Sequence, residues 1–232
     1  MTDVVLEWGS HGARALAEMC SVLVVVDVLS FTTTVTVALE RGAVVWPHEG
    51  GEAAHRLARQ IDALLAGNRG THESGPTLSP VSMLALEPGA RVVLPSPNGS
   101  AISYAAVTSE VDVVAGCLRN AAAVSRHLLG RERIGVVPAG ERWPDGSLRP
   151  AYEDWVGAGA VIARLAGHDP SVSLSPEAVA AAVAFEHLRP LRTCPSGREL
   201  VEKGFGPDVE VAEQVDVSGV VPVLVDGRYV PA

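Results

Sequence analysis

An uninterrupted aliphatic run, Val22-Leu23-Val24-Val25-Val26, stops at Asp27. A strand built from it has no polar face to turn to water, so it belongs in a sheet covered on both sides. Runs of similar character recur at 43–46, 91–94, 111–115 and 133–137. Longer Ala-rich segments separate them and predict helices over 33–40, 52–66, 101–108, 121–129, 153–166, 176–187 and 197–203. Ser175-Pro176-Glu177 reads as an N-cap with proline at the first helical position. Strand followed by helix, repeated, predicts an α/β fold: three layers (α/β/α), a largely parallel sheet, right-handed crossovers. One domain over residues 1–232 is the economical reading. Asp226-Gly227 between apolar pairs adds a hairpin within 209–230. Two stretches, 68–87 and 140–150, read as long loops, and long loops inside compact domains often carry function.

Composition narrows the partners. Lys and Arg total 18 against 27 Asp and Glu, a formal net charge of −9, which argues against a general nucleic-acid binder. No run approaches the roughly 20 consecutive apolar residues of a membrane-spanning helix, and residues 1–10 lack the basic start of a signal peptide. No membrane partner is expected. Three cysteines, Cys20, Cys117 and Cys194, form no CxxC pair. They suit a reducing, cytoplasmic location. A homodimer is the default expectation for a soluble enzyme.

In open parallel sheets ligands bind beyond the carboxyl ends of the strands, so the residues after each run are the first place to look. Asp27 is followed by Thr32-Thr33-Thr34 at a helix start. The carboxylate suits a hard cation, and the hydroxyls and free amides suit an anion. The same hydroxyls serve equally as helix caps. Asn98-Gly99-Ser100 follows the third run, Arg119-Asn120 the fourth, and Glu141-Arg142, then Arg149 and Glu153-Asp154, the fifth. Each has a bland reading as a turn, a cap or a dipole partner. Together, carboxylates and arginines on one rim suit a metal ion and an anionic substrate. No GxxxxGK[ST], GxGxxG or GxSxG occurs, which lowers a nucleotide-binding reading. The seven histidines show no HxH or HExxH spacing, arguing against zinc; His48 and His72 are expected in loops. Gly157-Ala158-Gly159 reads as a site of close helix packing.

These blocks, in order, resemble the 2-phosphosulfolactate phosphatase family. The resemblance runs through Asp27-Val28-Leu29 with Thr32–Thr34, Leu65-Ala66-Gly67 with Arg69, and Ser79-Pro80. It continues through Asn98-Gly99-Ser100, Asn120-Ala121, Ala139-Gly140, Glu153-Asp154 with Gly157-Ala158-Gly159, and Leu200, Gly204 and Asp208. It implies a Mg²⁺-dependent phosphoric monoester hydrolase taking a small anionic phosphate ester, converting (2R)-O-phospho-3-sulfolactate and water to 3-sulfolactate and phosphate. It implies Asp27, Glu153 and Asp154 as metal ligands, with Asp27, Asn98 and Glu153 catalytic. Thr32, Thr33, Thr34, Ser100, Arg119, Asn120, Arg142 and Arg149 would bind substrate. Ser30 stands where the family usually has Arg, Leu78 where it has Asn, and Ser82 and Asn68 where it often has Glu. Those departures keep two alternatives open: a relative acting on another small acidic phosphate ester, and a non-catalytic anion-binding protein.

Overall fold

Alternate residues of the first Val run feed two different cores. Val22, Val24 and Val26 pack with Val156, Ala160 and Leu165 on one face. Leu23 and Val25 pack with Leu16, Val35 and Leu39 on the other. A strand buried on both faces requires helices on both, and the computed structural model is a three-layer α/β/α arrangement. It describes residues 2–70, 75–106 and 111–232.

The strands are β1 (Asp3–Leu6), β2 (Val22–Val26), β3 (Val44–His48), β4 (Leu64–Leu65), β5 (Arg91–Pro95) and β6 (Asp112–Gly116). Then come β7 (Arg133–Pro138), β8 (Glu141–Arg142), β9 (Leu148–Arg149), β10 (Ser173–Leu174), β11 (Pro222–Val225) and β12 (Arg228–Pro231). The helices are α1 (Gly9–Ala17), α2 (Phe31–Glu40), α3 (Gly51–Gln60), α4 (Pro80–Met83) and α5 (Gly99–Ala106). They continue with α6 (Ala121–His127), α7 (Tyr152–His168), α8 (Pro176–Glu186), α9 (Pro195–Glu202) and α10 (Gly206–Ala212). The main sheet has the order β10-β1-β7-β2-β6-β11-β12-β3-β5-β4, and β8-β9 form a separate ribbon.

The sheet is largely parallel, with one departure that matters. β11 runs antiparallel to β6 and to β12, and β12 runs antiparallel to β3. The β3-β5-β4 group therefore points opposite to the β10-β1-β7-β2-β6 group. Single register pairs join the hairpin to each half, Val223 with Val114 and Tyr229 with Val45. The expected hairpin is present, and Asp226 and Gly227 take the positive φ angles, 49° and 75°, that a tight turn between twisted strands demands.

Three sequence expectations need correction. The helix expected over 52–66 stops at Gln60; Asp62 turns the chain at φ 52°, and Leu64–Leu65 pair with Val92 and Val93 as an edge strand. The opening strand β1 and helix α1 went unpredicted, as did α10. His48 is not in a loop: it ends β3, buried, and its Nδ1 accepts from the Gly50 amide. His72, and the end of the helix expected over 101–108, lie outside the described residues. Among the described residues no helix is long and apolar enough to cross a membrane.

Candidate active site

Asp27 ends β2, where the chain must leave the sheet and start α2. Its carboxylate is 5% exposed and accepts from two amides, Phe31 N at 3.1 Å and Gly99 N at 2.8 Å. The second bond draws the tip of β5 onto the tip of β2, although the two strands belong to opposed halves of the sheet. Only glycine allows it: a Cβ on Gly99 would lie 2.7 Å from Asp27 Cβ and 2.7 Å from the Phe31 ring. Gly99→Ala is therefore expected to cost about 1–3 kcal/mol of stability. By moving Asp27, it should also lower kcat at least about tenfold. Denaturant titration and phosphate release check the two effects separately.

Asp154, in the first turn of α7, clamps two loops. Oδ1 accepts from Val28 N at 2.7 Å and Oδ2 from Gly140 N at 2.8 Å, so it binds the exits of β2 and β7 together. Gly157 lets α7 come this close; a Cβ there would meet Val28 Cγ2 at 2.5 Å. Glu153 beside it is 1% exposed and accepts from the Cys194 thiol at 3.2 Å. Burial and the Glu153 carboxylate push that thiol up to about 12, so it stays a proton donor. Glu141, on the β8-β9 ribbon, accepts from Asn98 Nδ2 at 2.9 Å.

Asp27, Glu153 and Asp154, buried, and Glu141, half-buried, thus form one acidic cluster. Three of its members have raised pKa values. Burial raises Asp27, and the nearby Glu153 charge adds to the shift against the pull of the Gly99 and Phe31 amides. Burial, then Asp27 and Glu153, raises Asp154 well above the carboxylate range. Burial and Asp27 push Glu141 up to about 7, with Asn98 and Arg149 opposing. Crowded, desolvated carboxylates of this kind demand positive charge.

That charge is supplied at one side by Arg69. Its Nε donates to Asp208 Oδ2 at 2.8 Å, and its Nη2 donates to Ser30 Oγ. Ser79 donates to the other Asp208 oxygen. The guanidinium lies over the Phe205 ring, 5.8 Å from its centre. Leu29, Arg69, Glu141, Ser196, Glu199, Leu200, Lys203 and Phe205 line a cavity of about 250 Å³, and Lys203 is ion-paired with Glu199 there. Arg149 donates to Ser196 Oγ at 3.3 Å, which brings it to the same wall. A second cavity, about 280 Å³, lies on the other side of Glu141 and Asn98.

The other expected substrate-binding residues are placed differently. Thr32, Thr33 and Thr34 are fully buried, and their hydroxyls donate to Asp27 O, Val28 O and Leu78 O. Thr32 and Thr33 thereby close the turn and Thr34 ties it to the segment at Leu78, with the first turn of α2 packed into the core. Ser100 is fully buried too and joins β3 to β5, accepting from His48 N and sharing its proton between His48 O and Leu94 O. Asn120 donates to Thr36, Ala115 O and Val220 O, fixing the hairpin beside β6. Arg119 is committed to Glu40 and Gln214 and lines neither cavity. Arg142 sits exposed on the rim of the second cavity, holding Gly146 O and Pro97 O. Asp154, like Asp27, has each of its oxygens on a backbone amide, and its two bonds tie the exits of β2 and β7 together. Lys203, Ser196 and the positioning pair Asp208–Ser30 were not singled out as site residues from the sequence, and neither was Arg69.

A three-layer α/β fold with an acidic cluster beside a small cavity that carries both cations and carboxylates is a setting for phosphate-ester hydrolysis. The chain is matched over residues 11–227 by the family described as 2-phosphosulpholactate phosphatase, and it belongs to that family. A relative from Carboxydothermus hydrogenoformans, named a probable 2-phosphosulfolactate phosphatase, is 34% identical, over 90% of this chain and 89% of its own. One of the same name from Deinococcus radiodurans is also 34% identical, over 91% and 90%. The 2-phosphosulfolactate phosphatase of Methanothermobacter thermautotrophicus is 33% identical, over 88% and 87%.

The family resemblance also brings magnesium into question, and the side chains can be tested against it. Among the described residues no three His, Cys, Asp or Glu side chains converge as a ready metal cage. Mg²⁺ does not require one: it usually keeps several waters and takes one or two carboxylates. Asp27 and Glu153, buried and mutually repelling, fit that demand.

Proposed function

We propose that the chain hydrolyses (2R)-O-phospho-3-sulfolactate to 3-sulfolactate and phosphate, with Mg²⁺ as cofactor. The observation that carries this reading is the acidic cluster of Asp27, Glu141 and Glu153 set directly beside the Arg69–Lys203 cavity. Asp27 and Glu153 are the residues to hold the ion, whose bound charge would offset that of the phosphoryl oxygens. Arg69 is pre-aimed: Asp208 and Ser30 hold its fork, so it grips phosphoryl oxygen without first losing side-chain freedom. Arg149 adds charge for one acid group of the substrate, and Lys203 would exchange its exposed Glu199 partner for the other. Glu141 stands at the wall of the cavity with its other side held by Asn98, placed to give a proton to the leaving alkoxide.

Phosphate release from 2-phosphosulfolactate and 2-phospholactate tests this. The wild-type protein should favour the sulfonate ester. Arg69→Ala should raise KM about 100-fold or lower kcat/KM by as much, a loss of roughly 3 kcal/mol. Unchanged kinetics in Arg69→Ala would remove the Arg69 cavity from the account. No release from either ester by folded, Mg²⁺-supplied protein would overturn the reading.

A further inference from the structure

A three-layer fold covers both faces of its sheet with helices, but the β11-β12 hairpin brings no helix with it: the Asp226-Gly227 turn alone joins its strands. One face is covered all the same. Leu224 and Tyr229 join the core beneath α2, and the Tyr229 hydroxyl is hydrogen-bonded to Ser103 of α5 at 2.7 Å. On the other face Val44 and Val230 are half-buried and Val225 is 44% exposed. Val44, Trp46, Ile61 and Val230 line a groove of about 490 Å³ there, with Arg91 and Arg228 in its walls. On one side of it Trp46 packs with Ala54 and Ala58 of α3; on the other, Val223 packs into the core under α7. Two strand spacings make a gap of about 10 Å, the diameter of a helix. The Arg228 guanidinium lies 5.8 Å from the centre of the Trp46 ring. Among the described residues neither arginine has a carboxylate partner; Arg91 donates to the Ile61 carbonyl.

The outward side of α8 has the complementary character. Val179 and Val183, one turn apart, are 46% and 47% exposed. Exposed Glu177 and Glu186 stand at the two ends of this stripe, and the helix contains no Lys or Arg. Among the described residues neither glutamate has an ion pair. Nine residues of helix separate the two carboxylates by about 14 Å. In the groove Val44 pairs with Arg91 and Val45 with Tyr229, so Arg91 and Arg228 stand two strands and two residues apart, about 12 Å. We infer that α8 of a second copy of this chain seats in the groove, its valines against Trp46 and Val230 and its glutamates on the two arginines. Two grooves do not face each other, since that would set arginine against arginine. The contact joins two different surfaces of the chain. It is head-to-tail, and the copies close into a ring or extend as a row.

Sedimentation velocity and light scattering on the full chain test this without reference to catalysis. One helix in one groove is a small contact, so the expected dissociation constant is about 10–100 µM. Two double variants reverse the charge of one surface each, at exposed positions: Glu177→Arg with Glu186→Arg, and Arg91→Glu with Arg228→Glu. Each should weaken self-association at least about 100-fold and sediment as a 24.1 kDa monomer where the wild type assembles. Mixed together, the two should assemble again, because the arginine-bearing helix of one meets the glutamate-bearing groove of the other, and the unaltered helix and groove still match. Misfolding of either variant would not be repaired by mixing. Three results would each overturn the inference: a wild type that stays monomeric at about ten times that concentration, an association that neither double variant weakens, or two weakened variants that do not recover on mixing.

Discussion

Asp27→Asn should abolish useful turnover while the fold survives. The expected fall in kcat is roughly 10³-fold, about 4 kcal/mol of lost transition-state stabilisation. Asp27 sits where β2, α2 and the β5 tip meet, and its charge raises both Glu141 and Asp154, in each case more than Glu153 does. The substitution keeps shape and one acceptor oxygen, and it relieves that repulsion. It also turns an amide group towards Phe31 N or Gly99 N, each of which needs an acceptor. The two effects oppose, so net stability should stay within about 2 kcal/mol of wild type. Circular dichroism melts, Mg²⁺-induced shifts in melting temperature and phosphate release measure the three parts. Near-wild-type kcat with an unchanged Mg²⁺ shift would remove Asp27 from the site.

The metal-free protein should lose stability as the pH rises from about 4.5 to 7, and Glu141→Gln should suppress part of that loss. Glu141 is raised from 4.5 to about 7 in the folded state. Between those values the folded protein holds a proton that the unfolded chain has released, so stability falls as pH rises across that window. The full effect is in place above pH ~7 and amounts to about 3 kcal/mol at 1.36 kcal/mol per pKa unit. Asp27 and Asp154 are raised as well and work in the same direction. Glutamine keeps the oxygen that accepts from Asn98 and carries no charge. Its advantage over the wild type should therefore be small at pH 5 and largest at pH 8. Mg²⁺ should stabilise the wild type more at pH 8 than at pH 5, since ionised carboxylates bind it. Urea titrations at both pH values, with EDTA and with Mg²⁺, give all four numbers. A stability difference independent of pH would show that Glu141 titrates normally.

How far these features were legible in the sequence depended on the length scale that fixes them. The β2 run and Asp27 could be read directly, because burial on both faces erases alternation and the end of the run marks the strand tip. Asn98, Glu141 and Glu153 followed from the same strand-tip rule, and they do gather around Asp27. Yet the rule reached Asn98 by a route the sheet does not take. It presumed a single strand direction, whereas the β11-β12 hairpin reverses β3, β5 and β4, and nothing local in those strands records their direction. Thr32–Thr34, Ser100 and Asn120 look like ligand donors in one dimension. In three dimensions their hydroxyls and amide satisfy backbone groups, because a buried turn must provide its own hydrogen-bond partners. Arg69 was the harder case. It sits in an irregular segment between short elements, and its aim comes from Asp208, far along the chain. Only its place in the family blocks marked it. The Gly157 reading needed no such distance, since a glycine inside a helix already signals close approach.

The most direct measurement is phosphate release from 2-phosphosulfolactate by protein stripped with EDTA, before and after Mg²⁺ is restored, with Asp27→Asn alongside. With Mg²⁺ as the cofactor, release should be negligible without the ion, return to the wild-type level when it is restored, and fail to recover in the variant. Undiminished release by the stripped protein, or full recovery in Asp27→Asn, would contradict the account.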